Sequence, residues 1–251
     1  MDRSDLKKAV LETAAEMQQH PQMLAFSCGA DSLASLIRMR AWGLDPKLVY
    51  FYFIPDLVLI ETYLAYIERI FDTQIMRLPH KLWTQFMANG LLQKPGVGKR
   101  MYEHTDLGTP SSSLLNTWAL STLGDNARIA IGLRVTDGIF RAQKLRKEGP
   151  VHGVEWYPVA DCGRLEIRDI IMQAGLKLPY DYRLFGRSFE SIRASVASQI
   201  RAHCPETWAQ ICEWFPMAPL LCHQQPGRRY RDQENRMATY AALAFESEKN
   251  T

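Results

Sequence analysis

No apolar run in this 251-residue sequence approaches the ~20 residues of a membrane-spanning helix, so no membrane partner is expected. Paired cysteines are missing as well. The five that occur, Cys28, Cys162, Cys204, Cys212 and Cys222, are odd in number and widely spaced with no CxxC motif, which argues against a disulfide framework and a zinc ribbon. His20, His80, His104, His152 and His203 are scattered, with no pair four residues apart to suggest a metal-binding helix. Net charge is only +3, so bulk electrostatics demand no nucleic-acid partner. There is no internal repeat and no low-complexity tract. Residues 1–20 form a charged amphipathic pattern rather than the basic-then-apolar pattern of a signal peptide, and a cytoplasmic location is expected.

What is present is globular. Hydrophobic residues make up 47% and charged residues 23%, and the length suits one α/β domain over residues 1–190 with a helical extension over 191–251. The organising stretch is Met23 to Met39. A strand-length apolar run, Met23 to Phe26, ends in Ser27-Cys28-Gly29-Ala30-Asp31-Ser32, and Leu33, Leu36 and Ile37 follow at helical spacing. Strand, tight polar loop and helix together form a phosphate cradle. The N–H groups at a helix start lack intrahelical acceptors, and the macrodipole adds positive charge there. Gly29 and Ala30 leave room for an anion beside the main chain, and Ser27 and Ser32 add hydroxyls.

Ser4 and Asp5 are positioned to cap a first helix with the stripe Leu6, Ala9, Val10, Ala14 and Met17. Further strands are expected at Leu48 to Phe53, Gln74 to Arg77, Arg128 to Leu133 and Val154 to Val159. Helices fall between them at Leu59 to Phe71, Lys81 to Ala88, Leu114 to Leu123 and Asp137 to Lys147. Four more are expected at Glu166 to Ala174, Ser188 to Ala202, Thr207 to Phe215 and Arg231 to Glu248. Asn89 to Ser113, interrupted by glycine and proline, reads as a long loop. Its Gly96-Val97-Gly98-Lys99-Arg100 run has no strand before it, so an ordinary loop is preferred to a Walker-type cradle. The βαβα alternation predicts a doubly wound, mostly parallel five-stranded α/β sheet with a helical C-terminal region. Arg134 and Arg141 then fall at the carboxyl edge of the sheet, where open α/β sheets bind ligands and where an Arg fork suits phosphate.

Ser27 to Ser32 resembles the PP-loop, whose usual pattern is Ser-Gly-Gly-x-Asp-Ser, of the ATP pyrophosphatase superfamily. Ile131-Gly132-Leu133-Arg134, with Arg141 a helical distance on, looks like the Gly-x-Arg segment of the phosphoadenosine phosphosulfate (PAPS) reductase family. Trp156 to Asp161 looks like that family's Trp-x-Pro-x-x-Asp region, and Leu178-Pro179, Tyr182 and Phe185-Gly186-Arg187-Ser188 resemble its return toward the nucleotide. The likeness implies an adenine nucleotide alpha-hydrolase-like fold, ATP or PAPS as ligand, and Mg²⁺ held by Asp31. It implies nucleotide-binding roles for Ser27, Cys28, Gly29, Ala30, Asp31, Ser32, Gly132, Arg134, Lys144 and Arg187, with Asp31, Arg134 and Arg141 acting in catalysis.

Two departures bear on activity. Cys28 stands where the pattern has Gly, and if that position needs a positive φ its Cβ costs on the order of 1 kcal/mol. Cys28 reads first as a small loop residue and second as a thiolate nucleophile near helix N–H groups. True reductases carry a late nucleophilic cysteine in Glu-Cys-Gly-Leu-His, and some bind an iron–sulfur cluster through paired cysteines. Here the tail offers only Leu221-Cys222-His223-Gln224, so no cluster is expected and Cys222 is a faint counterpart of the nucleophile. The expected function is therefore adenylyl activation of an unknown acceptor with pyrophosphate release. A thiol-dependent PAPS reductase and a non-catalytic nucleotide sensor are the alternatives. Nucleic acid as acceptor would draw on the basic cluster Arg228, Arg229 and Arg231.

Overall fold

Short, fully apolar runs become strands when both faces of the sheet are covered. In the computed structural model, which describes residues 2–95, 112–124, 126–223, 239–240 and 243–244, mostly apolar runs form Gln22–Ala25 (β1), Lys47–Tyr52 (β2) and Ile75–Pro79 (β3). Arg128–Ala130 (β4), Val151–His152 (β5) and Glu155–Trp156 (β6) complete a six-stranded sheet in the order β3-β2-β1-β4-β6-β5. β1 pairs in parallel with β2 and with β4, and β4 in parallel with β6. β5 runs antiparallel to β6. The expected five strands are thus corrected to six. Val154 to Val159 contributes only β6, because the chain doubles back through Gly153, at φ 59°, to form a two-residue hairpin edge. The strand expected to reach Leu133 ends at Ala130.

The first helix, Arg3–Met17 (α1), is capped by Asp2 rather than Ser4: the Asp2 carboxylate accepts from the Asp5 N–H, and the Asp5 carboxylate accepts from the Asp2 N–H. Its stripe Leu6, Val10, Ala14 and Met17 is buried as the spacing requires. Ala30–Ala41 (α2) ends at Trp42 with Gly43 at φ 76°, the left-handed exit a helix terminus favours. Lys81–Ala88 is helical over the expected span. Ile139–Glu148, Arg164–Gln173, Ala194–His203 and Pro205–Trp214 follow as helices, the third starting later than the expected Ser188. The short helix Asp181–Phe185 has too few residues for a periodic signal. The Gly96 to Arg100 run, His104 and most of the expected last helix lie outside the described residues.

The chain divides into two compact units. The first comprises Met1–Tyr50, Glu68–Met76 and Asn116–Leu178. Inside it Leu6, Val10, Leu145, Tyr157 and Ala160 form a buried cluster against which Trp42, Ile131, Leu133 and Val135 pack. Gln22 joins three segments from within this core: its side-chain amide donates to Met17 O, and its carbonyl accepts from the Trp156 indole at 2.9 Å. The second unit comprises Phe51–Ile67, Arg77–Leu115 and Pro179–Thr251. Its core is aromatic. Phe53 stacks on the buried Phe215 at 5.7 Å and meets Phe86 edge-on at 5.0 Å, and Trp83 meets the more exposed Trp214 at 4.7 Å.

Candidate functional site

From β1 the chain moves outward to β2 and β3, then returns to pair β4 on the other side of β1. That reversal is a topological switch point, and the carboxyl ends of β1 and β4 flank it. The end of β1 runs into Ser27 to Ser32, and the end of β4 into Ile131 to Arg134. The candidate site lies where these two segments meet, wholly within the first unit.

The loop is closed from inside. The Ser27 N–H and hydroxyl both reach the Ser32 hydroxyl, at 3.3 and 3.2 Å, and that hydroxyl donates to Gly29 O at 2.9 Å. Ser32 is 2% exposed, so it holds the loop's shape, while Ser27 is exposed and Asp31 half-exposed. Gly29 caps α2 in extended conformation. The left-handed residue is Cys28, at φ 59°, in the position where the pattern has glycine. Its side chain is fully buried.

Alternation along the segment after β4 aims the second half of the site. Ile131, Leu133 and Val135 turn into the Leu6–Val10–Leu145 cluster, which leaves Gly132 and Arg134 to the opposite side. A Cβ on Gly132 would lie 2.8 Å from the Asp31 carbonyl carbon and 2.9 Å from the Ser32 nitrogen. Gly132 therefore lets the β4 exit pass against the first turn of α2. Arg134 Nε lies 3.0 Å from Asp31 Oδ1, and Arg134 Nη2 2.8 Å from Asp137 Oδ1. The Arg134 main-chain N–H donates to Asp137 Oδ2 at 2.9 Å, and Arg141 Nη1 lies 3.3 Å from the same oxygen. Arg134 and Asp137 are nearly buried, with side chains 12% and 11% exposed, whereas Arg141 is 57% exposed.

The structure thus brings together Ser27, Cys28, Gly29, Ala30, Asp31, Ser32, Gly132, Arg134 and Arg141. It adds Asp137, whose role the sequence reading missed. Its spacing was the available signal, since the helix expected from Asp137 would put Asp137 and Arg141, four apart, on one face, although the helix starts only at Ile139. Lys144 is directed to Tyr157, whose hydroxyl lies 3.4 Å from its ammonium. Burial, and then Glu155, raise the Tyr157 pKa, so the phenol stays protonated. Arg187 and Cys222 belong to the second unit: Arg187 pairs with Glu190 at 3.5 Å, and Cys222 is half-buried in the turn Ala218–His223. Arg228, Arg229 and Arg231 lie outside the described residues.

Behind the site, Arg38 of α2 pairs with Asp161 at 2.6 Å, lies 3.0 Å from the Cys162 sulfur, and sits 4.7 Å from the Trp42 ring centre. Burial pushes the Cys162 thiol up to about 12 despite that guanidinium, and pushes Cys204 up to about 11, so both thiols stay protonated and inert. Asp161 therefore ties the segment after β6 to α2. Among the described residues no group of three or more His, Cys, Asp or Glu is placed to hold a metal. Mg²⁺ needs only one or two carboxylates when nucleotide phosphates and water supply the remaining oxygens. Asp31 fits that lesser requirement through its carboxylate, with Oδ1 shared with Arg134.

No family profile matches the sequence, and no curated protein is detectably similar to it. Among solved structures, the NH3-dependent NAD synthetase of Campylobacter jejuni in complex with nitrate is 12% identical, covering 90% of this chain and 99% of its own, with a TM-score of 0.38. The NAD+ synthetase of Burkholderia pseudomallei is 11% identical, covering 96% and 92%, with a TM-score of 0.38. Likenesses this loose bear on neither the family nor the chemistry of the chain.

Proposed function

We propose that the chain is a PP-loop enzyme that binds an adenine nucleotide on Ser27 to Ser32 and directs attack at its α-phosphate. An acceptor nucleophile would bond to the α-phosphorus, the bond to the bridging α–β oxygen would break, and pyrophosphate would leave with that electron pair while the acceptor's proton passes to solvent. The carrying observation is the meeting of the loop with Arg134 at the switch point, held by Asp31 at 3.0 Å.

Catalysis on this reading is positioning and charge neutralisation. The start of α2 receives phosphate oxygens, and Gly132 keeps the main chain close enough for the β4 exit to share the task. Arg134 and Arg141 supply guanidinium groups toward the phosphates. Mg²⁺ held by Asp31 would supply neutralisation of the triphosphate charge. The acceptor class, nucleic acid or a sulfur donor, is carried by no described contact. No helix among the described residues is long and apolar enough to cross a membrane.

Pyrophosphate release is the test. The full chain is mixed with ATP, Mg²⁺ and candidate acceptors, and Asp31→Asn is run beside it. Release that falls at least a hundredfold in Asp31→Asn supports the reading; tight ATP binding without turnover under any acceptor refutes it and favours a sensor. Thioredoxin-dependent sulfite release from PAPS, abolished by Cys222→Ser or Cys28→Ser, would assign the reductase reaction instead.

A further inference from the structure

Three donors converge on the one carboxylate that the motif pattern leaves out. Asp137 takes the Arg134 guanidinium at 2.8 Å, the Arg134 main-chain N–H at 2.9 Å and the Arg141 guanidinium at 3.3 Å. We infer that Asp137 is a positioning residue for anion recognition, fixing Arg134 and Arg141 so that both face a phosphate at the start of α2. The inference rests on the nucleotide reading above.

A long Arg side chain that is free before binding must be immobilised by the ligand, and that ordering subtracts from affinity. Asp137 removes the loss in advance. Both of its oxygens are engaged, and the side chain is 11% exposed. The contact to the main chain of Arg134 ties it to its own turn, so it is not a movable stand-in for the phosphate. Arg134 as a result lies between two carboxylates, Nη2 2.8 Å from Asp137 Oδ1 and Nε 3.0 Å from Asp31 Oδ1. The formal charges of Asp31, Asp137, Arg134 and Arg141 sum to zero, so the resting site needs no counterion to be assembled.

A double-mutant cycle on the full chain tests this, with binding of ATP and of inorganic tripolyphosphate measured by calorimetry. Asp137→Asn is expected to weaken both ligands at least tenfold, because it keeps the shape and removes the charge that orients both arginines. Asp137→Glu is expected to recover part of that loss. A purely structural role would rank the variants the other way, since Asn is the closer match in size. In an Arg134→Ala background, Asp137→Asn is expected to add less than twofold, because its main target is gone. If Asp137→Asn does not fold, Asp137→Glu carries the same cycle. Unchanged or tighter binding in Asp137→Asn, or a full additional loss in the Arg134→Ala background, overturns the inference while ATP binding by the wild type leaves the nucleotide reading standing. A wild-type chain that binds neither ATP nor tripolyphosphate overturns both.

Discussion

Gly132→Ala tests whether the β4 exit and the α2 start form one site. The added methyl would sit 2.8 Å from the Asp31 carbonyl carbon, 2.9 Å from the Ser32 nitrogen and 3.0 Å from the Asp31 oxygen. Ordinary carbon contacts begin at ~3.5 Å, so the two segments must part by about 0.5 Å or more. All three neighbours are main-chain atoms, and no rotamer change relieves them. Overpacking of this kind costs about 1–3 kcal/mol. For a chain of this size that lowers the thermal midpoint by roughly 4–8 °C at the middle of the range. The opening also lengthens the Asp31–Arg134 contact, now 3.0 Å, so ATP affinity should fall along with stability. Gly163→Ala is the control. Its nearest neighbours are the side-chain ends of Glu166 at 3.3 Å and Arg3 at 3.4 Å, which can swing aside, and little change is expected. Differential scanning calorimetry and ATP titration read the two effects. Wild-type stability and affinity in Gly132→Ala would refute the close approach on which the site rests.

Cys28 at φ 59° is strained, so Cys28→Gly should leave the midpoint near wild type as relief of about 1 kcal/mol offsets the lost side-chain burial, while Cys28→Val, β-branched and larger, should lower it clearly in the same melt. Burial raises the Asp181 carboxyl to about 8, against which the Phe189 N–H at 2.7 Å pulls it down. Because the folded pKa exceeds the unfolded one, the stability this group contributes is complete below about pH 4 and is lost as pH rises toward 8. Urea midpoints measured from pH 5 to pH 8 should therefore fall, and Asp181→Asn should flatten the trend; an identical slope in the variant would remove Asp181 as its source. Arg38→Ala leaves the Asp161 carboxylate buried without its guanidinium and should cost about 3 kcal/mol, whereas Arg38→Met with Asp161→Leu should cost less, as denaturant titration of the three proteins would show.

The fold was legible wherever a pattern repeats within one segment. The run Met23 to Phe26, the loop and the α2 spacing announced β1, a tight loop and a helix, because each pattern lies within one segment. The positive φ considered at Cys28 is present, because a backbone requirement is carried by one position and needs no partner. What failed needed contacts across segments. β5 has two residues, too few for a period, and exists through its pairing with β6. The first cap moved from Ser4 to Asp2 because a reciprocal pair with Asp5 outcompetes a single hydroxyl. Lys144 carries the right charge for an anion site, but it meets Tyr157, a contact across segments that no spacing within its helix announces.

The orientation of Arg134 shows how little separates core from site in this chain. Residues 131 to 135 alternate, and three of the five are apolar: Ile131, Leu133 and Val135 bury against Leu6, Val10, Leu145, Tyr157 and Ala160. Leu133 and Val135, packed on that cluster, flank Arg134, whose side chain meets Asp31 and Asp137 instead. Register is further held by the Ile131 N–H on Trp156 O at 3.0 Å and the Val135 N–H on Ala160 O at 2.9 Å. The hydrophobic residues on either side of Arg134 and the carboxylates of Asp31 and Asp137 thus place its guanidinium together.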